Sequence, residues 1–168
     1  MYKRQHQYGY YECRCKLQKK RGWWSAFWLQ SPIIGCCPDT AVAGVENDIM
    51  ESFEPGKIIT HCNHYNGYGD DHKQAEAGKG LDLDVNEYHT FGMLWTKDGY
   101  TFYVDGVKDG HVSEIVSHRP QFILISTEVN GYRLKERTAT DEARAAVGDE
   151  FIVDYVRVFD IVEREIKS

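Results

Sequence analysis

The chain has 168 residues, 42% apolar and 13% aromatic, which is enough for one domain with a sizeable core and excludes a disordered tail. Its formal net charge of −6, with 26 acidic against 20 basic residues and no basic block, excludes a nucleic-acid partner on charge grounds. No apolar run approaches the ~20 residues of a membrane-spanning helix, so no membrane partner is expected.

The first residues, "MYKRQ", resemble a translated adapter tag, so Met1 to Gln5 are set aside as non-native and a single domain is expected over residues 6–168. No apolar leader is visible in this start, which leaves the compartment open. "YGYYECRCKL" then alternates with period two. Tyr11, Cys13, Cys15 and Leu17 share one face, with Glu12, Arg14 and Lys16 on the other. Cys13 and Cys15 therefore read as small buried apolar groups. The remaining cysteines are Cys36, Cys37 and Cys62, and an odd total of five requires at least one unpaired thiol.

"WSAFWL" (24–29) is a short aromatic strand after a basic turn ending at Gly22. "GKIITHCNHY" follows the turn signal "EPG". The loop 66–80, rich in Gly, Asp and Lys, reads as the most mobile segment. "EYHTFGMLWTKDGYTFYVDGVKDG" reads as consecutive hairpins, with turns at Asp98-Gly99 and Asp105-Gly106. "PQFILISTEV" and "EFIVDYVRVFD" are two further strands. Helical propensity is confined to residues 140–148. Many short strands separated by turns predict an all-β antiparallel sandwich or barrel.

One strand carries chemistry. "GVENDIMESF" sets Glu46, Asp48 and Glu51 within six residues that otherwise suit burial. Plain alternation places Glu46 and Asp48 on one face and Glu51 behind it. A one-residue bulge between Asp48 and Glu51 restores Glu51 to that face. Two carboxylates with a third between them then suit retaining glycoside hydrolysis, in which acid and nucleophile stand about 5–5.5 Å apart. The middle acid holds geometry and helps keep the two pKa values apart. The alternative is a solvent-facing edge carrying ordinary charges.

Five collinear segments from Tyr8 to Asp160 resemble glycoside hydrolase family 16. "YGYYECRCKL" is similar to that family's "YGYFEARIKLP", "GWWSAFWLQSP" to "GWWPAFWLLSP", and "GVENDIMESF" to "GAEIDIMEYF". The long hairpin segment and "FIVDYVRVFD" also match. The resemblance implies a concanavalin A-like jelly roll of two curved antiparallel sheets with a sugar-binding groove on the concave face. It implies Glu46 as nucleophile, Glu51 as general acid/base and Asp48 as helper. The extra Met50 matches the bulged signature of laminarinase-like and agarase-like members.

By the same resemblance Trp24 and Trp28 offer flat faces to sugar rings, Arg14 lines the groove, and a histidine of "THCNHYNGYG" reaches the acids. His64 is the candidate for that histidine and His61 its rival. A zinc cluster from His61, Cys62, His64, Asp70 and His72 is disfavoured, because His61 and His64 lie three apart and face opposite ways on a strand. No cofactor is expected beyond an occasional structural calcium of the family, which uses Asp154 and is expected to be incomplete here.

Several positions depart from the family. Asn47 replaces an apolar residue and needs a buried partner. Ser25 stands where the family has proline, and "ISTEVNG" changes the groove near Ser126 and Glu128. The chain is also shorter than family domains, so strands preceding Tyr8 are expected to be missing.

The expected function is a monomeric, extracellular or cell-envelope endo-β-glucanase acting on β-1,3 or mixed β-1,3/1,4 glucan. The alternatives are an agarase-like or other galactan-cleaving member and a sugar-binding sandwich without catalysis.

Overall fold

The computed structural model describes residues 5–58, 61–129 and 147–162. In chain order the elements are β1 (Gln5–His6), β2 (Gly9–Lys16), β3 (Trp23–Gln30), α1 (Thr40–Ala43), β4 (Glu46–Ser52), β5 (Lys57–Ile58) and β6 (His61–Tyr65). β7 (Lys73–Ala77), β8 (Leu81–Asp82), β9 (His89–Thr96), β10 (Gly99–Val104), β11 (Val107–Val112), β12 (Gln121–Val129) and β13 (Ile152–Phe159) follow.

The strands form two antiparallel sheets. One has six strands in the order β1-β12-β3-β4-β6-β7, the other five in the order β11-β10-β9-β2-β13, and β5 and β8 make a small separate pair. The fold is an all-β jelly roll, as the alternation and the resemblance predict. Tyr11, Cys13 and Cys15 of β2 are fully buried against Phe91, Met93 and Trp95 of β9, which lie in the same sheet. Phe27, Leu29 and Met50 from the first sheet close the same core. Apolar burial of this kind contributes roughly 25 cal/mol per Å² and holds the two sheets face to face.

The turn between β10 and β11 uses Asp105 and Gly106, both at positive φ (49° and 75°). That conformation matches the right-handed twist of a two-residue hairpin, and it explains why Asp-Gly stands there.

β7 and α1 differ from the sequence expectation, as do the two-residue strands β1, which pairs with β12 ahead of Tyr8, and β8. β7 lies inside the segment read as a mobile loop, yet pairs with β6 through all five residues from Lys73 to Ala77. Its composition, "KQAEA", has low strand propensity. It is held as the last strand of its sheet, where polar side chains are tolerated and discourage further pairing. The short helix α1 was not foreseen either. Asp39 caps it, with its side chain accepting from the Ala41 amide at 2.9 Å. The helical expectation for 140–148 falls almost wholly outside the described residues.

Asn47 obtains its buried partner across the sheet. It faces Asn63 in register, and its Nδ2 donates to the Asn63 Oδ1 at 2.5 Å. A hydrogen-bonded pair of amides thus replaces apolar packing at this point of the core.

Candidate active site

Register between β3 and β4 builds the site. Gln30 faces Glu46 and Trp28 faces Asp48, whereas the next pair is Phe27 with Met50, so Ile49 has no partner on β3. Ile49, rather than the Met50 expected from the signature, is the extra residue of the bulge. Beyond it Ala26 faces Glu51, and directly opposed residues project on one face of a sheet. The bulge therefore returns Glu51 to the face that carries Glu46 and Asp48, while Ile49 and Met50 are both fully buried.

A core histidine fixes this irregular backbone. The His61 Nδ1 lies 2.7 Å from the Ile49 carbonyl oxygen, and since a carbonyl only accepts, Nδ1 carries the hydrogen. The imidazole stacks on Phe102 with centroids 4.5 Å apart and planes 7° apart. Its Nε2 lies 3.3 Å from the Asp109 Oδ2 on β11. His61 thus turns inward, away from the acids, and burial lowers its pKa.

His64 turns the other way. It faces Glu46 in register, and its Nε2 lies 3.1 Å from the Asp48 Oδ2. The hydrogen bond to Asp48, with contact to Cys62, raises the His64 pKa to about 10, so imidazolium and carboxylate form an ion pair at neutral pH. Of the two candidate histidines, His64 is the one beside the acids.

The two outer carboxylates sit in unequal surroundings. Glu46 accepts from Gln30 Nε2 at 3.0 Å and from the Tyr68 hydroxyl on the same oxygen, Oε2. Glu51 accepts from the Trp24 indole Nε1 at 2.9 Å. Burial and the Asp48 charge raise both pKa values. For Glu46 the Tyr68, His64 and Gln30 contacts oppose the rise. For Glu51 the value reaches about 7, with Trp24 and His64 opposing. A carboxyl that holds its proton near neutrality suits a general acid, and one supported by two donors suits a nucleophile.

Trp24, Glu46, Glu51, Phe53, His64 and Tyr68 line an open cleft of about 330 Å³. The Trp24 ring packs on Phe53 at 4.6 Å. The Trp28 Nε1 donates to Ser126 Oγ at 3.2 Å, and Trp28, Ser126 and Glu128 line an adjoining hollow that also meets all three acids.

Arg14 requires a correction. It belongs to β2 in the second sheet, where Tyr11, Cys13 and Cys15 take the inward positions, so alternation turns Arg14 to the outer surface. There its Nη1 meets Asp154 Oδ2 at 2.5 Å and its guanidinium lies over the Tyr88 ring, away from the cleft. The same contact bears on calcium. Asp154 is exposed and already neutralised by Arg14, so the described residues do not fit a cation there.

Gln30 and Tyr68 are site residues that the sequence reading missed. Gln30 continues the two-residue period of Trp24 and Trp28 along β3 and could have been found from it. Tyr68 comes from the connection between β6 and β7, beside Asn66 and Gly67 at positive φ (63° and 74°), and no periodicity marks it.

A face of a jelly roll that gathers two unequal carboxyls about an aspartate–histidine pair, beside indole rings, suits a carbohydrate-active β-sandwich. Residues 2–140 match Glycosyl hydrolases family 16, and the chain belongs to that family. It is 26% identical over 156 residues to the endo-1,3-1,4-beta-glycanase ExsH of Rhizobium meliloti (strain 1021), covering 92% of this chain and 30% of that protein. It is 28% identical over 102 residues to the keratan-sulfate endo-1,4-beta-galactosidase of Sphingobacterium multivorum, covering 58% and 23%. In structure it is similar to the laminarinase catalytic domain of Thermotoga maritima, with a TM-score of 0.70 at 22% identity, covering 95% of this chain and 66% of that one. The chain thus spans under a third of the length of these two curated relatives.

Proposed function

We propose that this domain is a retaining endo-β-glucanase acting on β-1,3 or mixed β-1,3/1,4 glucan. Glu46 attacks the anomeric carbon while Glu51 hands its proton to the departing glycosidic oxygen, leaving a glycosyl ester on Glu46. Glu51, now a carboxylate, takes a proton from water, and the hydroxyl attacks the anomeric carbon from the face the leaving sugar vacated, expelling Glu46 from the opposite face with overall retention. Asp48, paired with His64, supplies negative charge between the two and keeps the Glu51 proton in place. Trp24 and Trp28 offer apolar ring faces to sugar C–H surfaces.

The observation that carries this reading is the bulge at Ile49, which gives Glu46 and Glu51 a common face and distinct environments. The choice of glucan is supported by the two Rhizobium meliloti relatives, both endo-1,3-1,4-beta-glycanases. The Sphingobacterium relative, a keratan-sulfate endo-1,4-beta-galactosidase, supports a second reading, cleavage of a galactan; Ser126 and Glu128, where the sequence departs from the family pattern, line the hollow beside the cleft.

Incubation with laminarin, lichenan and agarose separates these readings by which polymer releases reducing ends. Proton NMR of the earliest products then reads the stereochemistry. The β-anomer is expected first, and Glu46→Gln is expected to abolish release while keeping oligosaccharide binding. Binding by the wild-type chain with no hydrolysis of any polymer would instead establish a non-catalytic sandwich.

A further inference from the structure

The cleft wall holds a sulfur for which the hydrolytic steps have no use. Cys62 is 5% exposed, faces Asp48 directly in register and alternates with His64 along β6, so both side chains project toward the acids. One donor atom from each of Asp48, Cys62 and His64 lies within 4.8 Å of the other two. The edge from His64 Nε2 to Asp48 Oδ2 is 3.1 Å. Two ligands of a tetrahedral zinc ion, each about 2.0–2.1 Å from the metal, stand about 3.3 Å apart.

A second observation concerns the far side of the imidazole. The His64 Nδ1 lies 2.9 Å from the His72 Nε2, with the two rings stacked at 5.0 Å. A ligating histidine is oriented in this way by a partner on its other nitrogen, which fixes the tautomer that leaves Nε2 for the metal. The open cleft beyond the three side chains leaves room for a water as fourth ligand.

We propose that Asp48, Cys62 and His64 form a binding site for a zinc ion, and that the bound ion reversibly shuts the hydrolase. Thiolate, imidazole and carboxylate together suit zinc, whereas calcium and magnesium take oxygen ligands. The ion replaces the thiol proton of Cys62 and the Nε2 proton of His64, both released to solvent. It neutralises the Asp48 charge between Glu46 and Glu51 and occupies the floor on which the reacting sugar settles. The inhibition rests on the hydrolase reading; the binding does not.

Cobalt(II) titrated into the reduced whole chain tests the site by absorption. One equivalent is expected to give a thiolate-to-cobalt charge-transfer band and visible bands of tetrahedral cobalt, both lost when zinc is added. Cys62→Ala and His64→Gln, each checked for folding by circular dichroism, are expected to weaken binding at least about tenfold. The neighbours Cys36, exposed, and Cys37, half-buried, with sulfurs 3.9 Å apart, are the rival site. Replacing both with alanine is expected to leave the bands intact.

Loss of the bands in that double variant, or their survival in Cys62→Ala, overturns the site. In hydrolysis assays zinc is expected to inhibit the wild type reversibly, with EDTA restoring the rate. Cys62→Ala, measured against its own zinc-free rate, is expected to be insensitive. Cobalt bands without inhibition in an active enzyme overturn the inhibitory half. An enzyme inactive on every polymer refutes the hydrolase reading, while the absorption result still decides the site.

Discussion

Replacing Trp24 with phenylalanine removes the indole hydrogen bond to Glu51. The indole Nε1 donates to Glu51 Oε1 at 2.9 Å and favours the charged carboxylate, opposing burial and the Asp48 charge. Phenylalanine keeps an aromatic face for packing on Phe53 but has no donor. A hydrogen bond to a charged group contributes about 1.5–3 kcal/mol, and the half-buried position of Trp24 favours the low end of that range. At 1.36 kcal/mol per pKa unit, the loss raises the Glu51 pKa by about one unit. The general acid must be protonated, so the alkaline limb of the kcat/KM profile reports its pKa in the free enzyme. That limb is expected near pH 7 in the wild type and about one unit higher in Trp24→Phe. A limb that stays in place, or moves to lower pH, refutes Glu51 as the acid restrained by Trp24.

Three other perturbations follow from the same geometry. Tyr68→Phe removes a donor from Glu46, whose pKa then rises, so the acid limb of the profile is expected to move to higher pH; an unchanged acid limb contradicts Glu46 as the nucleophile. Glu51 binds its proton more tightly folded, at a pKa of about 7 against 4.5, so its contribution to stability is present below pH 4.5 and lost as pH rises through 7. Urea titrations are expected to show Glu51→Gln gaining on the wild type by up to about 3 kcal/mol above pH 7, with little difference at acid pH. His61→Leu leaves the buried Ile49 carbonyl without its donor and is expected to lower kcat about tenfold or more through misplacement of Glu51, with KM little changed. His61→Asn, whose amide can stand where Nδ1 stood, is expected to recover most of the rate; equal losses in both variants would reduce His61 to packing.

The sequence was most informative where local physics and tertiary structure agree. Alternation along β2 named the buried set Tyr11, Cys13, Cys15 and Leu17, because one face of that strand meets the core and the other meets water. The bulge could be argued from three acids at spacings two and three, since only an extra residue gives them one face. Its location at Ile49 and its tie to His61 are properties of the neighbouring strands and needed coordinates. Arg14 shows where the resemblance misleads: alternation correctly placed the side chain opposite the core, but the sheet that β2 joins makes that side outer surface and not cleft. β7 was missed because a polar last strand owes its form to its neighbour, and Tyr68 because a loop residue reaches Glu46 through backbone geometry that leaves no periodic mark.

The central claim is that Glu46 forms a covalent bond to sugar while Glu51 manages the proton. A slow-turnover 2-deoxy-2-fluoro glucoside trap, followed by proteolysis and mass spectrometry, tests it directly. The adduct is expected on the peptide containing Glu46, with fragmentation placing the sugar on that side chain. An adduct on Glu51, or turnover with the α-anomer released first and no adduct at all, contradicts the account.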